Sequence, residues 1–156
     1  MNARLDYFGN KVGGKFVKAL VSANKGLVDS PLSLTIQELV RMRASQINGC
    51  AVCLDIHTKE AAAAGETDVR INLVAVWREA NCFTEAERAA LEVTEQACRM
   101  ADGGGVTDEA WSNAAKHFDE DQLAALVGVI SLINAFNRMN GIIQNPGGDY
   151  RVGQFA

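Results

Sequence analysis

The chain has 156 residues, 48% of them hydrophobic and only two of them proline, which is enough for one sizeable core and favours helix. A formal net charge of −4 argues against nucleic acid or an anionic membrane surface as partner. The polar start Met1-Asn-Ala-Arg-Leu-Asp6 does not read as a secretory signal, and no apolar run is expected to approach the roughly 20 residues of a membrane span. The four cysteines do not look like a secreted disulfide framework in a chain this long, so a cytoplasmic protein is expected.

One domain is predicted over residues 1–156: an all-α, single-domain helical bundle of about seven helices. The first helix is predicted over 7–28, where Phe16, Leu20, Ala23 and Leu27 recur at spacings of three and four. Gly13-Gly14 weakens its start, and Asp29-Ser-Pro31 breaks it. A second helix over 33–47 carries Glu38 and stops at Asn48-Gly49, residues that readily take the left-handed conformation. The third, over 51–64, ends at Gly65, and a fourth follows over 69–79. Thr84-Glu-Ala-Glu87 reads as a capping box that opens a helix to about residue 100.

Gly103-Gly-Gly105 reads as a flexible turn; it follows a helix and lacks the Lys-Ser/Thr of a phosphate loop. Thr107 caps a short helix to about His117, itself expected at the surface. Asp119-Glu-Asp-Gln122 opens the last helix, to about residue 140, and 141–156 reads as an irregular tail. The middle of that helix, 123–133, is almost wholly apolar, which implies burial in a core or in a subunit interface. Together with the apolar stretch 73–77 it predicts a homo-oligomer, since monomers rarely leave large apolar patches in water.

The chemistry concentrates in 38–57. Cys50 and Cys53 form a C-x-x-C, His57 lies four residues beyond Cys53, and Glu38 precedes Cys50 by twelve positions. The stop at Asn48-Gly49 places Cys50 at a helix N-terminus and Cys53 in its first turn. Spacings of three and four put Cys50, Cys53 and His57 on one helix face. A helix N-terminus and a C-x-x-C partner both lower a thiol pKa from its free value of roughly 8.5, and the thiolate is the nucleophile. A histidine one turn away can accept or return the thiol proton, and a carboxylate can orient that histidine. Two cysteines so spaced can also store oxidising equivalents as a disulfide. The short turn between the second and third helices makes an approach of Glu38 to His57 plausible.

Other readings of the same residues stay open. The two cysteines with His57 and Glu38 could bind zinc, although no second C-x-x-C is present and His117 is far along the chain. The cysteines could simply be buried. Thr35-Ile-Gln-Glu38 matches a capping box, which would make Glu38 a helix cap. Cys82 and Cys98, with no helpful neighbours, read as small buried apolar residues. As for the attacking sulfur, the helix terminus favours Cys50, whereas the spacing puts His57 beside Cys53.

Glu38, eleven residues, Cys50-x-x-Cys53, three residues, His57 resembles the signature of AhpD-like alkylhydroperoxidases of the carboxymuconolactone decarboxylase superfamily. The flanking Arg43-Ala-Ser-Gln-Ile-Asn-Gly-Cys50 and His57-Thr-Lys-Glu-Ala61 are similar too. So are Trp77-Arg-Glu79, Phe83-Thr-Glu-Ala-Glu-Arg-Ala-Ala-Leu91 and Asn134-Ala-Phe-Asn-Arg138, so that the likeness runs from about Ala3 to Tyr150. It implies a thiol peroxidase that reduces hydrogen peroxide or an organic hydroperoxide, needs no cofactor, and is reset by an external dithiol or disulfide reductase. It assigns attack to Cys53, resolution to Cys50 and a proton relay to Glu38 and His57. It also implies trimers or hexamers, with a hexamer favoured. Where the best-known member type has a histidine between the cysteines, this chain has Val52. Decarboxylation of a muconolactone-like acid is the alternative enzyme reading, disfavoured because decarboxylase members do not use the cysteine pair; a non-catalytic zinc-binding or interaction protein is the other.

Overall fold

The computed structural model describes residues 2–155, and among them there are helices and no strands. Eight α-helices run in the order α1 (Lys11–Val28), α2 (Leu34–Asn48), α3 (Ala51–Ala63), α4 (Asp68–Leu73), α5 (Glu85–Cys98), α6 (Met100–Gly103), α7 (Asp108–Ala114) and α8 (Glu120–Ile143). A 3-10 helix, Val74–Glu79, continues α4.

The centre of the bundle is α2, which packs against α3, α5 and α8. Its Leu39, Val40, Met42 and Ala44 are all buried, although its sequence is polar on average, because neighbours cover it on several sides. Val40 joins Leu126, Val129 and Ile130 of α8 and Ala89, Ala90 and Val93 of α5 in one cluster. Leu39 and Met42 join Val74, Trp77, Phe83 and Leu91 in a second. Ala44 and Ile133 join Cys50 and Cys53 in a third, so the cysteine pair sits on the core rather than beside it.

Most elements match the sequence reading; the differences have physical causes. Tyr7 lies ahead of α1, which begins after Asn10, whose side chain accepts from the backbone N–H groups of Val12 and Gly13. The helix expected over 69–79 splits, with Val76 outside helical geometry, as Trp77 turns inward and its indole N–H donates to Glu95 at 2.9 Å. Tertiary packing overrides helix propensity there. Met100–Gly103 adds a short helix where only a turn was expected. The capping box expected at Thr35 is absent: the cap of α2 is Ser33, which accepts from Ile36 N–H, and Glu38 faces elsewhere.

The boxes at Thr84 and Asp119 both form. The last helix runs on past residue 140 to Ile143 and is long and apolar enough, by length and composition, to cross a membrane, which the sequence reading did not expect. Its apolar middle is core: Ala125, Leu126, Val129, Ile130 and Ile133 are buried within the one chain. Val74 and Trp77 are buried in it too. Each segment still leaves one large apolar side chain in water, Val76 at 53% and Val127 at 46% exposure. Apolar side chains are also left in water on the first helix and its approach, among them Leu5, Phe8, Val12, Phe16 and Val21.

Candidate active site

The site is built where α2 hands over to α3. Gly49 closes α2 with φ +66°, a left-handed conformation that glycine takes without a Cβ penalty. The chain reverses in that one step, and Cys50 becomes the N-cap of α3, its sulfur accepting from Cys53 N–H at 3.4 Å. Both cysteines are almost fully buried. They are joined as a disulfide with Cα atoms 5.4 Å apart, inside the usual span for such a bond.

One turn further along α3, His57 Nδ1 lies 2.8 Å from Glu38 Oε2. The approach that the short α2–α3 connection made plausible is present. The other Glu38 oxygen accepts from Arg41 at 2.6 Å. Arg41 is itself buried and donates to Asn24 and Gln37 at 3.0 and 2.9 Å. Burial pushes the Glu38 carboxyl up, but the hydrogen bond and charge of His57 and the Arg41 guanidinium outweigh it, and its pKa lies below the ordinary 4.5. Glu38 is thus a carboxylate at neutral pH. With Nδ1 committed to it, Nε2 is the ring nitrogen left to move a proton. In this disulfide form no hydrogen bond joins His57 to Cys53 among the described residues, and the same holds for any group of three His, Cys, Asp or Glu able to hold a metal ion.

The residue that does touch the Cys53 sulfur was not singled out from the sequence. Asn140 of α8 is buried and its Nδ2 donates to Cys53 Sγ at 3.5 Å. Asn134 and Asn137 precede it at intervals of three. Asn137 donates to Ser45 at 3.0 Å and accepts from Asn48, while Asn134 donates to Cys98 Sγ at 3.4 Å. Cys98 therefore has polar neighbours and is half-buried against the cysteine-pair cluster, unlike the apolar filler expected. Burial pushes its thiol up, against the pull of Asn134. A signal was available: three amides on one face of an apolar helix are costly unless each finds a partner.

The tail, expected to be irregular, is irregular but tied to α3. Asp55 accepts from the backbone N–H groups of Gly148 and Tyr150 at 2.7 and 3.0 Å, and Lys59 donates to the carbonyls of the same two residues. Tyr150 donates its hydroxyl to Glu60; burial and that hydrogen bond push its phenol up to about 12. Gly147 crosses α3 so closely that a Cβ there would lie 2.6 Å from the Ala51 carbonyl oxygen.

The chain belongs to the carboxymuconolactone decarboxylase family, which it matches over residues 14–96. It is 34% identical over 140 residues to the uncharacterised protein YdfG of Bacillus subtilis, covering 90% of this chain and 93% of that one. A crystal structure of a protein of unknown function from Agrobacterium tumefaciens, provisionally assigned to AhpD antioxidant defence, superposes with a TM-score of 0.88 at 31% identity, over 96% of this chain and all of that one. The debrominase Bmp8, solved with 2,3,4-tribromopyrrole, shares the fold at 16% identity and a TM-score of 0.77, over 87% of this chain and 72% of that one.

Proposed function

We propose that this member of the carboxymuconolactone decarboxylase family is a thiol peroxidase that reduces hydrogen peroxide or an organic hydroperoxide through Cys53 and Cys50. The observation that carries the reading is the Glu38–His57 hydrogen bond one helical turn from two buried cysteines at disulfide distance. A carboxylate-oriented imidazole beside a dithiol supplies the base, the acid and the nucleophile of a peroxide reduction in one place.

In the reduced protein, His57 takes the Cys53 thiol proton and Glu38 steadies the imidazolium. The thiolate attacks the hydroperoxide: an S–O bond forms, the O–O bond breaks, and the departing alkoxide or hydroxide recovers the proton from His57. Cys53 is left as a sulfenic acid, oxidised by two electrons. Cys50 then attacks the Cys53 sulfur, the S–O bond breaks, and water leaves as the disulfide forms. An external dithiol or disulfide reductase returns two electrons and two protons. With Val52 between the cysteines, the proton work rests on Glu38 and His57 alone. The decarboxylase alternative gives the cysteine pair no task.

The test supplies hydrogen peroxide or an organic hydroperoxide together with a small dithiol to the purified protein. Peroxide-dependent oxidation of the dithiol is expected, abolished by Cys53→Ser, with Cys50→Ser retaining a single round that ends in a sulfenic acid. Dithiol oxidation no faster than without protein would overturn the reading. The reverse pattern, in which Cys50→Ser blocks the first round, would move attack to Cys50.

A further inference from the structure

Two donors divide the two sulfurs of the pair. Cys50 Sγ has the backbone N–H of Cys53 at the start of α3. Cys53 Sγ has the side-chain amide of Asn140, which reaches it from α8, 87 positions along the chain. Asn140 is buried, at 6% exposure, and protein groups contact both ends of its amide. Asn145 holds the oxygen end. Its Nδ2 donates to Asn140 Oδ1 at 3.0 Å, and its backbone N–H donates to the Asn140 carbonyl, also at 3.0 Å. With Oδ1 accepting from Asn145, Nδ2 is the end that faces the sulfur.

Asn145 in turn is placed by the way the chain leaves α8. Gln144 turns in the left-handed conformation, with φ +52°, and two residues past Asn145 the backbone presses on Ala51 and Val52 at Gly147. Gly148 and Tyr150 are then tied to Asp55 and Lys59 on α3. The helix that carries Cys53 thus anchors the strap that aims the amide at Cys53.

We propose that Asn140 is a catalytic residue, whose amide stabilises the Cys53 thiolate directly, and that Asn145 is a positioning residue that holds the amide in that orientation. A buried anion gains more from a donor fixed towards it than a neutral thiol does, because hydrogen bonds to charged groups are the stronger kind. The inference rests on the peroxidase reading for its purpose, but concerns the sulfur itself.

It is tested without peroxide. In a Cys50→Ser background, reduced protein is alkylated at Cys53 with iodoacetamide across pH, and the rate reports the thiolate fraction. Asn140→Ala is expected to raise the midpoint of that titration by about one pH unit, a tenfold loss of thiolate on its lower limb. Asn140→Asp, which sets a carboxylate where the donor stood, should raise it further, and Asn145→Ala should raise it less than Asn140→Ala. Circular dichroism selects the variants that fold, and Asn145→Ala, altered outside the core, carries the test if both Asn140 variants fail. A midpoint unchanged from the parent in every folded variant overturns the proposal, even where the wild-type protein turns over peroxide. The expected order of midpoints sustains it, even where no peroxidase activity is found.

Discussion

Glu95, buried, and Glu38, half-buried, are carboxylates held by cationic side chains, and their partners differ. Glu95 of α5 accepts from Trp77 Nε1 at 2.9 Å, from Arg43 Nε at 2.7 Å and from Arg78. Glu38 of α2 accepts from Arg41 and pairs with His57. Both carboxyls lie below their ordinary value although burial pushes each of them up: Glu95 through Arg78, Trp77 and Arg43, Glu38 through His57 and Arg41. The difference is the partner. Arginine does not release its proton in a protein, so the charges around Glu95 are fixed and the cluster can only hold elements together. Histidine can, so the Glu38 cluster has one member able to carry a proton to the cysteine pair. A buried ion pair says nothing about function until one partner can change its protonation.

Substitution should separate the two clusters. His57→Gln is expected to cost roughly a hundredfold in peroxide reduction, the lower end of general acid–base catalysis, while the melting temperature moves little. Loss of less than about twofold would reduce the Glu38–His57 pair to packing. Glu95→Gln is expected to do the opposite. It leaves Arg43 facing a neutral amide and should cost about 2 kcal/mol, or about 4–8 °C in melting temperature, with the rate per folded molecule unchanged. Arg78 is half exposed and limits the cost. A lowered rate with an unchanged melting temperature would make Glu95 part of the chemistry.

The smallest effect is on pH dependence. Each carboxyl has a folded-state pKa below its unfolded value, so its contribution to stability is fully present above about pH 4.5 and is lost as the pH falls through the folded value. Melting temperature should fall with acid below pH 4.5, and the fall should be shallower in Glu95→Gln. A parallel fall in both proteins would remove Glu95 from the acid-sensitive set.

The sequence carried the bundle and the spacing of the motif because helix signals are local. Stop signals, capping boxes and apolar periodicity placed α2, α3, α5 and α8 to within a few residues, and the Asn48-Gly49 turn made a Glu38–His57 approach plausible without showing it. Contacts between distant parts of the chain were not legible. Asn140 meets Cys53 across 87 positions, and the tail meets α3 across about as many, in part by backbone donors and acceptors that any residue types could supply. Glu38 is the instructive case. Thr35-x-x-Glu38 satisfies a capping pattern, yet Ser33 starts the helix two residues earlier, and the shift frees Glu38 to face His57.

The central claim is that peroxide converts the Cys50 and Cys53 thiols into one disulfide. Reduced protein is treated with one equivalent of hydrogen peroxide, alkylated, digested and analysed by mass spectrometry. The account predicts a Cys50–Cys53 disulfide, with Cys82 and Cys98 still alkylated. Full alkylation of Cys50 and Cys53 after peroxide would contradict it.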